Sequence, residues 1–246
     1  MKRIKAIVAR ILAVWGLLTF AVTFLIIFLP SMLAYLLPDP KGTSYLLFWG
    51  KLWIRSWYFL IGCPVEVKGK GNFKKGETYI VTCNHNSLLD PTISSPFIPG
   101  PNKTIAKVSF AKVPIFGWYY ARGSVLVDRK NAQSRRKSVA DMRHVLDTGM
   151  HMCIYPEGTR NRTNEPLKPF YDGAFKLAEE TGKSIMPAVI LNTRLAVPLD
   201  KTFYFWPQRL GIHFLPPISP ANKTAAQLKE EVFEAMKKYI QDYYRH

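Results

Sequence analysis

The chain has 246 residues, enough for one globular domain and a small appendage. Hydrophobic residues make up 48% and charged residues 21%, a balance that supports a packed core and excludes a disordered chain. With 34 Lys and Arg against 17 Asp and Glu, the net charge of +17 calls for an acidic partner: a membrane surface, a phosphate-bearing substrate, an acidic carrier protein or nucleic acid.

Lys2, Arg3, Lys5 and Arg10 open the sequence, and no further charge occurs before Asp39. Residues 11–29 are almost wholly apolar, and a helix of that length covers about 28 Å, close to a bilayer core. The run is too long for a signal peptide and lacks a small-x-small cleavage site. It reads as a membrane anchor, and the positive-inside rule puts residues 1–10 in the cytoplasm. Pro30 and Pro38 are expected to bend or break it. A second apolar stretch, 45–61, carries only Lys51 and Arg55. Its Trp49, Trp53, Trp57 and Tyr58 recur at helical spacing, as interfacial anchors or as packing between two helices. A two-span hairpin or a re-entrant pair would leave the rest of the chain on the cytoplasmic side, whereas a single span would place it outside.

Gly69, Gly71 and the basic run Lys68, Lys70, Lys74 and Lys75 mark turns and exposed surface. The boundary is expected here, with an anchor over 1–62 and a second unit over 63–246. From this point strands and helices alternate, an α/β pattern. Expected strands cover 65–67, 79–82, 104–106, 124–127, 152–155, 185–191, 203–205 and 212–214. Expected helices cover 91–96, 113–121, 131–147, 171–181 and 224–244. The helix from Asn131 puts Val139, Met142, Val145 and Leu146 on one face, and Gly149 stops it. Cys63, Cys83 and Cys153 are odd in number and contain no C-x-x-C, which indicates neither a disulfide framework nor a zinc site. Cys83 and Cys153 read as small core residues.

The most informative stretch is YIVTCNHNSLLDP, residues 79–91. A β-branched strand ends at Asn84-His85, and Asp90-Pro91 begins a helix, with Asp90 at the cap and Pro91 in the first turn. His85 thus lies in a strand-to-helix loop with a carboxylate five positions on. That is either a general base with its orienting acid or a turn beside a helix cap.

Asn84-His85-x4-Asp90 resembles the first signature of the glycerolipid acyltransferases, the lysophosphatidic acid acyltransferase type in particular. Three more blocks follow in that family's order: Gly123 to Arg129 (GSVLVDR), Tyr155 to Arg160 (YPEGTR) and Ile185 to Ala188 (IMPA). The resemblance implies a mixed β-sheet flanked by helices, behind a membrane-embedded pair of helices that is re-entrant. It also implies acyl transfer from a thioester, either acyl carrier protein or acyl-CoA, to the 2-hydroxyl of 1-acylglycerol 3-phosphate. The EGTR form of the third block is that of enzymes acylating lysophosphatidic acid; the EGGRSR of glycerol-3-phosphate enzymes is absent.

Such a reaction needs a base for the hydroxyl, a stabilised oxyanion and a held acceptor. On the resemblance, His85 is the base and Asp90 fixes its tautomer. Arg129 and Arg160 grip the acceptor phosphate, because a guanidinium matches phosphate oxygens in a fork. Glu157 orients an arginine or a glycerol hydroxyl, unless it forms a structural ion pair. Gly158 and Gly123 let backbone approach substrate or turn sharply, and Thr159 completes the third block. Lys107 serves the oxyanion or the phosphate. No G-x-S-x-G elbow offers a nucleophile. No metal or cofactor is expected, and no nucleic-acid signature is present. Two rival readings remain at this stage: transfer to another lyso-lipid such as a lyso-ornithine lipid, or a non-catalytic adaptor on an anionic membrane surface.

Overall fold

The computed structural model describes residues 2–245; Met1 and His246, the outer ends of the two expected units, lie outside them. Helix α1 (Lys2–Met32) runs through Pro30, and the expected break falls two residues later. A proline this near a helix end removes a single backbone bond. A short 3₁₀ turn, Leu33–Leu36, leads past Pro38 to α2 (Lys41–Leu60). The stretch from Arg3 to Leu36 is the one helix among the described residues long and apolar enough to cross a membrane. The α2 indoles settle on packing. Trp57 donates to the Gly16 carbonyl at 2.9 Å and Trp53 to Thr23 Oγ1 at 3.1 Å, both across to α1. Phe20 meets both tryptophans and Phe24 meets Trp53. Buried indole N–H groups need such partners, so the pair is locked by polar as well as apolar contacts.

Seven strands follow: β1 (Val65–Lys68), β2 (Ile80–Cys83), β3 (Asn102–Lys107), β4 (Ser124–Val127), β5 (His151–Ile154), β6 (Ile185–Leu191) and β7 (Leu210–Phe214). They form one mixed sheet in the order β1-β7-β6-β2-β5-β3-β4. Strands β6, β2, β5, β3 and β4 run parallel, while β7 opposes β6 and takes β1 with it. Between the strands lie α3 (Asp90–Ser94), α4 (Phe116–Arg122), α5 (Ala132–Asp147), α6 (Gly173–Thr181) and α7 (Thr193–Ala196), and α8 (Ala225–Arg245) closes the chain.

All seven residues of β6 are buried, as expected of a strand covered on both faces. Their alternation divides the core. Met186, Ala188 and Ile190 join Val81 and Cys153 beneath α1, α2 and α3. Ile185, Val189 and Leu191 join Ile80 and Met152 beneath α5, α6 and α8. Cys63, Cys83 and Cys153 are free and buried.

Three sequence expectations need correction, and one short helix was not among them. Residues 203–205 form no strand: Phe203 takes a positive φ of 52°, and the Phe205 amide bonds Ala9 while the Trp206 amide bonds Ala196. Pro207 follows at once, where no ladder donor is available. In α5 the inward position belongs to Ser138, whose hydroxyl is satisfied by the Arg135 carbonyl, and Val139 is 37% exposed. Helix α4 starts at Phe116 because Pro114 and Ile115, with φ 64°, make a turn first. The four-residue α7 has too little periodicity to be seen in sequence.

The helix pair is clipped to the sheet domain by a half-buried ion cluster. Asp39, between α1 and α2, meets Arg122 and Lys103, each at 2.8 Å. Arg122 also donates to the carbonyls of Ala34 and Leu37. Burial disfavours the Asp39 charge, but hydrogen bonds from Arg122 and Lys103 outweigh it and hold the carboxyl well below its usual range.

Candidate active site

Five parallel strands direct their carboxyl ends to one edge, where open α/β sheets bind ligands. His85 stands two residues beyond β2, Arg129 two beyond β4 and Thr193 two beyond β6. Tyr155 to Arg160 follow β5, and Lys107 is the last residue of β3. Asn84 opens the site loop without leaving the ladder. Its amide donates to the Ile190 carbonyl at 2.9 Å and its oxygen accepts from the Ile190 amide at 2.6 Å. The loop therefore starts from a fixed point on β6.

Asp90 does not cap α3. It is the helix's first residue, and its carboxylate turns back into the loop. Oδ2 accepts from His85 Nδ1 at 2.8 Å and from the amides of Asn86 at 2.5 Å and Ser87 at 2.7 Å. Oδ1 accepts from Thr193 Oγ1 at 2.6 Å. The Asp90 side chain is wholly buried, while that of His85 is 20% exposed. A carboxylate held by four donors has no freedom to reorient. It assigns the proton to Nδ1 of His85 and leaves Nε2 as the ring nitrogen available to a ligand. Tyr155 braces the imidazole at 4.6 Å between ring centroids, its hydroxyl tied to Ser94 at 2.7 Å.

Glu157 touches no arginine. It is fully buried, and its two oxygens accept from the backbone amides of His85, at 2.7 Å, and Lys168, at 3.0 Å. It holds the histidine by its main chain, as Asp90 does by its ring. Burial pushes its carboxyl up to about 7, a rise the two amide bonds limit.

His85 lines a cleft of about 820 Å³. One part of its wall is cationic: Arg129, Arg160, Arg162, Lys107 and Lys168. Another is apolar and comes largely from the helix pair: Phe20, Leu46, Leu47, Trp53 and Ile54, with Phe116. Among the described residues the arginines paired with acids are Arg122, Arg143 and Arg245, none of them a cleft arginine. Arg129 instead donates to the Gly158 carbonyl, and Lys168 Nζ reaches Thr159 Oγ1 at 2.7 Å. Gly158 has a φ of +70°, and a Cβ there would sit 2.7 Å from the Tyr171 ring, so glycine is required. Gly123 lines the cleft but has a φ of −89°, so it makes no turn that needs glycine.

Eight of the nine expected site residues thus meet at the carboxyl edge of the sheet: six line the cleft there, Asp90 bonds the His85 ring and Glu157 lies behind it, while Gly123, just before β4, lines the cleft from the other end of the strands. Sequence reasoning missed Thr193, Arg162 and Lys168. Arg162 is two positions past Arg160, a spacing that in extended chain returns to the same side, and that signal was available. Nothing local marks Thr193, which Asp90 reaches across 103 positions. Among the described residues no group of three or more His, Cys, Asp or Glu is placed to hold a metal ion.

A family model described as Acyltransferase matches residues 64–191. A 1-acyl-sn-glycerol-3-phosphate acyltransferase of Saccharomyces cerevisiae is 32% identical over 174 residues, covering 70% of this chain and 57% of the yeast protein. The chain therefore spans little more than half of that relative's length. A protein of the same name from Salmonella typhimurium is 27% identical over 198 residues, covering 80% of this chain and 79% of its own. The crystal structure of the 1-acyl-sn-glycerophosphate (LPA) acyltransferase PlsC from Thermotoga maritima superposes with a TM-score of 0.80 at 21% identity, covering 100% of this chain and 99% of that one, and shows the fold. The matched segment runs from the foot of β1 to the end of β6 and contains the histidine, its acid and every cationic cleft residue; this chain belongs to the Acyltransferase family.

Proposed function

We propose that the protein transfers a fatty acyl group from an acyl-CoA or acyl carrier protein thioester to the 2-hydroxyl of 1-acylglycerol 3-phosphate, giving phosphatidic acid. The observation that carries this reading is the His85–Asp90 pair at 2.8 Å, set in a cleft cationic along one wall and apolar along another. The names of the yeast and Salmonella relatives support the choice of acceptor.

In this reading Asp90 fixes the tautomer of His85 and stabilises the imidazolium that forms. Nε2 takes the hydroxyl proton as the oxygen attacks the thioester carbonyl. The new C–O bond forms, the C–S bond breaks, and the imidazolium returns its proton to the departing thiolate. A thiolate leaves readily, so no acyl-enzyme is needed. Arg129 and Arg160, joined by Arg162, hold the acceptor phosphate, and Lys107 faces the phosphate or the oxyanion. Glu157, Gly158 and Thr159 shape the loop that presents them, and Gly123 lines the wall. The step as written uses only the two substrates and these side chains.

The acceptor's chain would occupy the apolar wall, with α1 and α2 seated in the cytoplasmic leaflet as a re-entrant pair and residues 63–246 beside it. The basic surface suits an anionic bilayer and an acidic donor protein. An acceptor panel on reconstituted vesicles with both donors tests the reading. Transfer should require the acceptor phosphate. Equal transfer to a zwitterionic, phosphate-free lyso-ornithine lipid would overturn it.

A further inference from the structure

Between β3 and α4 the chain makes a 3₁₀ turn, Val108–Lys112, and then the Pro114–Ile115 turn. These turns and the first turn of α4 belong to the sheet domain, yet together they expose Phe110 at 49%, Val113 at 43%, Ile115 at 44% and Trp118 at 63%. A water-facing turn has no use for four large apolar side chains together. The patch is not isolated. The Trp118 ring stacks on Phe28 of α1 at 6.2 Å, and the Trp118 carbonyl accepts from the Tyr35 hydroxyl at 2.8 Å. It thereby continues the exposed apolar surface of α1, where Leu25, Ile26 and Leu29 are 55–75% exposed. Exposed Lys107 flanks it and exposed Lys112 lies within it, cations of the kind found at a headgroup layer.

We infer that the Val108–Trp118 segment is a membrane-inserting element of the sheet domain, sharing one leaflet with α1. It deepens the reading above, because Lys107, Phe110, Phe116 and Tyr120 from the same stretch line the cleft. The cleft mouth then stands at headgroup level, and a lipid acceptor enters sideways from the leaflet without crossing water. A leaflet is favoured over a second copy of this chain by the continuity with a helix of membrane-crossing length and by these two lysines.

The test uses the full chain reconstituted in phosphatidylcholine–phosphatidylglycerol vesicles. The three native cysteines are buried, so a polarity-sensitive fluorophore on Val113→Cys reports the segment, and one on Glu230→Cys, in α8 on the opposite face of the sheet, reports the control. Brominated acyl chains should quench the first and spare the second. Val113→Ser combined with Ile115→Ser should lower transfer to a long-chain acceptor in the bilayer by about 10-fold and leave transfer to a short-chain, monomeric acceptor within about 2-fold. Absence of quenching at Val113→Cys overturns the inference, as does an equal fall on both acceptors. Energy transfer between labelled copies without quenching by lipid overturns it in favour of a dimer. If the wild type acylates neither acceptor, the proposed function fails, and the quenching still decides the insertion.

Discussion

The two faces of the sheet are built to different rules. Under α5, α6 and α8 the packing is that of a water-soluble protein. Phe175, Leu177 and Met236 are buried almost completely, and the outward positions are mainly polar. Under α1 and α2 the inward packing is just as tight, but the outward side of α1 is as apolar as the inward side. The first face is finished for water; the second, on the proposed membrane reading, for lipid. The candidate-site edge joins them: its loops rise from the shared strands, its cations come from the sheet domain, and its apolar wall comes largely from the helix pair. The Asp39–Arg122–Lys103 cluster holds the two halves of that wall in register.

The largest effect belongs to the edge itself. Asp90→Asn should lower acyl transfer by about 10³-fold or more, because an amide cannot accept from His85, Asn86, Ser87 and Thr193 together and can present the wrong tautomer. Initial rates on vesicles, with circular dichroism to confirm folding, check this. On the water face Phe175→Ala should cost about 3 to 5 kcal/mol of stability in denaturant unfolding, since its side chain is wholly enclosed. On the lipid face Ile26→Ser should leave stability in detergent within about 0.5 kcal/mol, because Ile26 is 70% exposed. Equal losses at both positions would break the comparison.

Arg160→Ala should raise KM for the acceptor by about 10- to 100-fold with the donor KM unchanged, the size of one charge-assisted contact. Among the site substitutions Glu157→Gln has the smallest effect and the most specific signature. The Glu157 proton is bound more tightly in the folded state, at about 7, than at the ordinary carboxyl value of 4.5. Its contribution to stability is therefore greatest below the latter value and is lost as pH rises through about 7. The ionised form accepts both amides best, so turnover should rise over the same interval. Glu157→Gln should lower turnover by about 10-fold and remove the contribution of this carboxyl to both pH dependences, in stability and in rate. A rate profile unchanged by the substitution would contradict the backbone-clamp role.

Much of this was legible in sequence because the signals are local. Residues 79–91 state a strand, a stop and a helix start within thirteen letters, and the first and third motif blocks follow the carboxyl ends of β2 and β5 because that is where such loops must be. What stayed hidden was relational. Thr193 bonds Asp90 from the far side of β6, and the preference of Glu157 for main-chain amides over arginine depends on how deeply its loop is buried. Ser138 in place of Val139 reflects a shift of one position in helix phase, too small for a hydrophobic pattern to register. The apolar turn after β3 carried no motif, and its meaning came only from lying beside α1.

The central claim is that one imidazole accepts the proton of a lipid alcohol. The most direct measurement is acyl transfer to 1-acylglycerol 3-phosphate by His85→Ala, alongside its binding to the same vesicles. Transfer should fall by about 10³-fold or more, since loss of a general base typically costs 10² to 10⁴-fold and the site geometry adds to that, while vesicle binding stays at the wild-type level. Transfer retained at the wild-type rate in that variant would contradict the account.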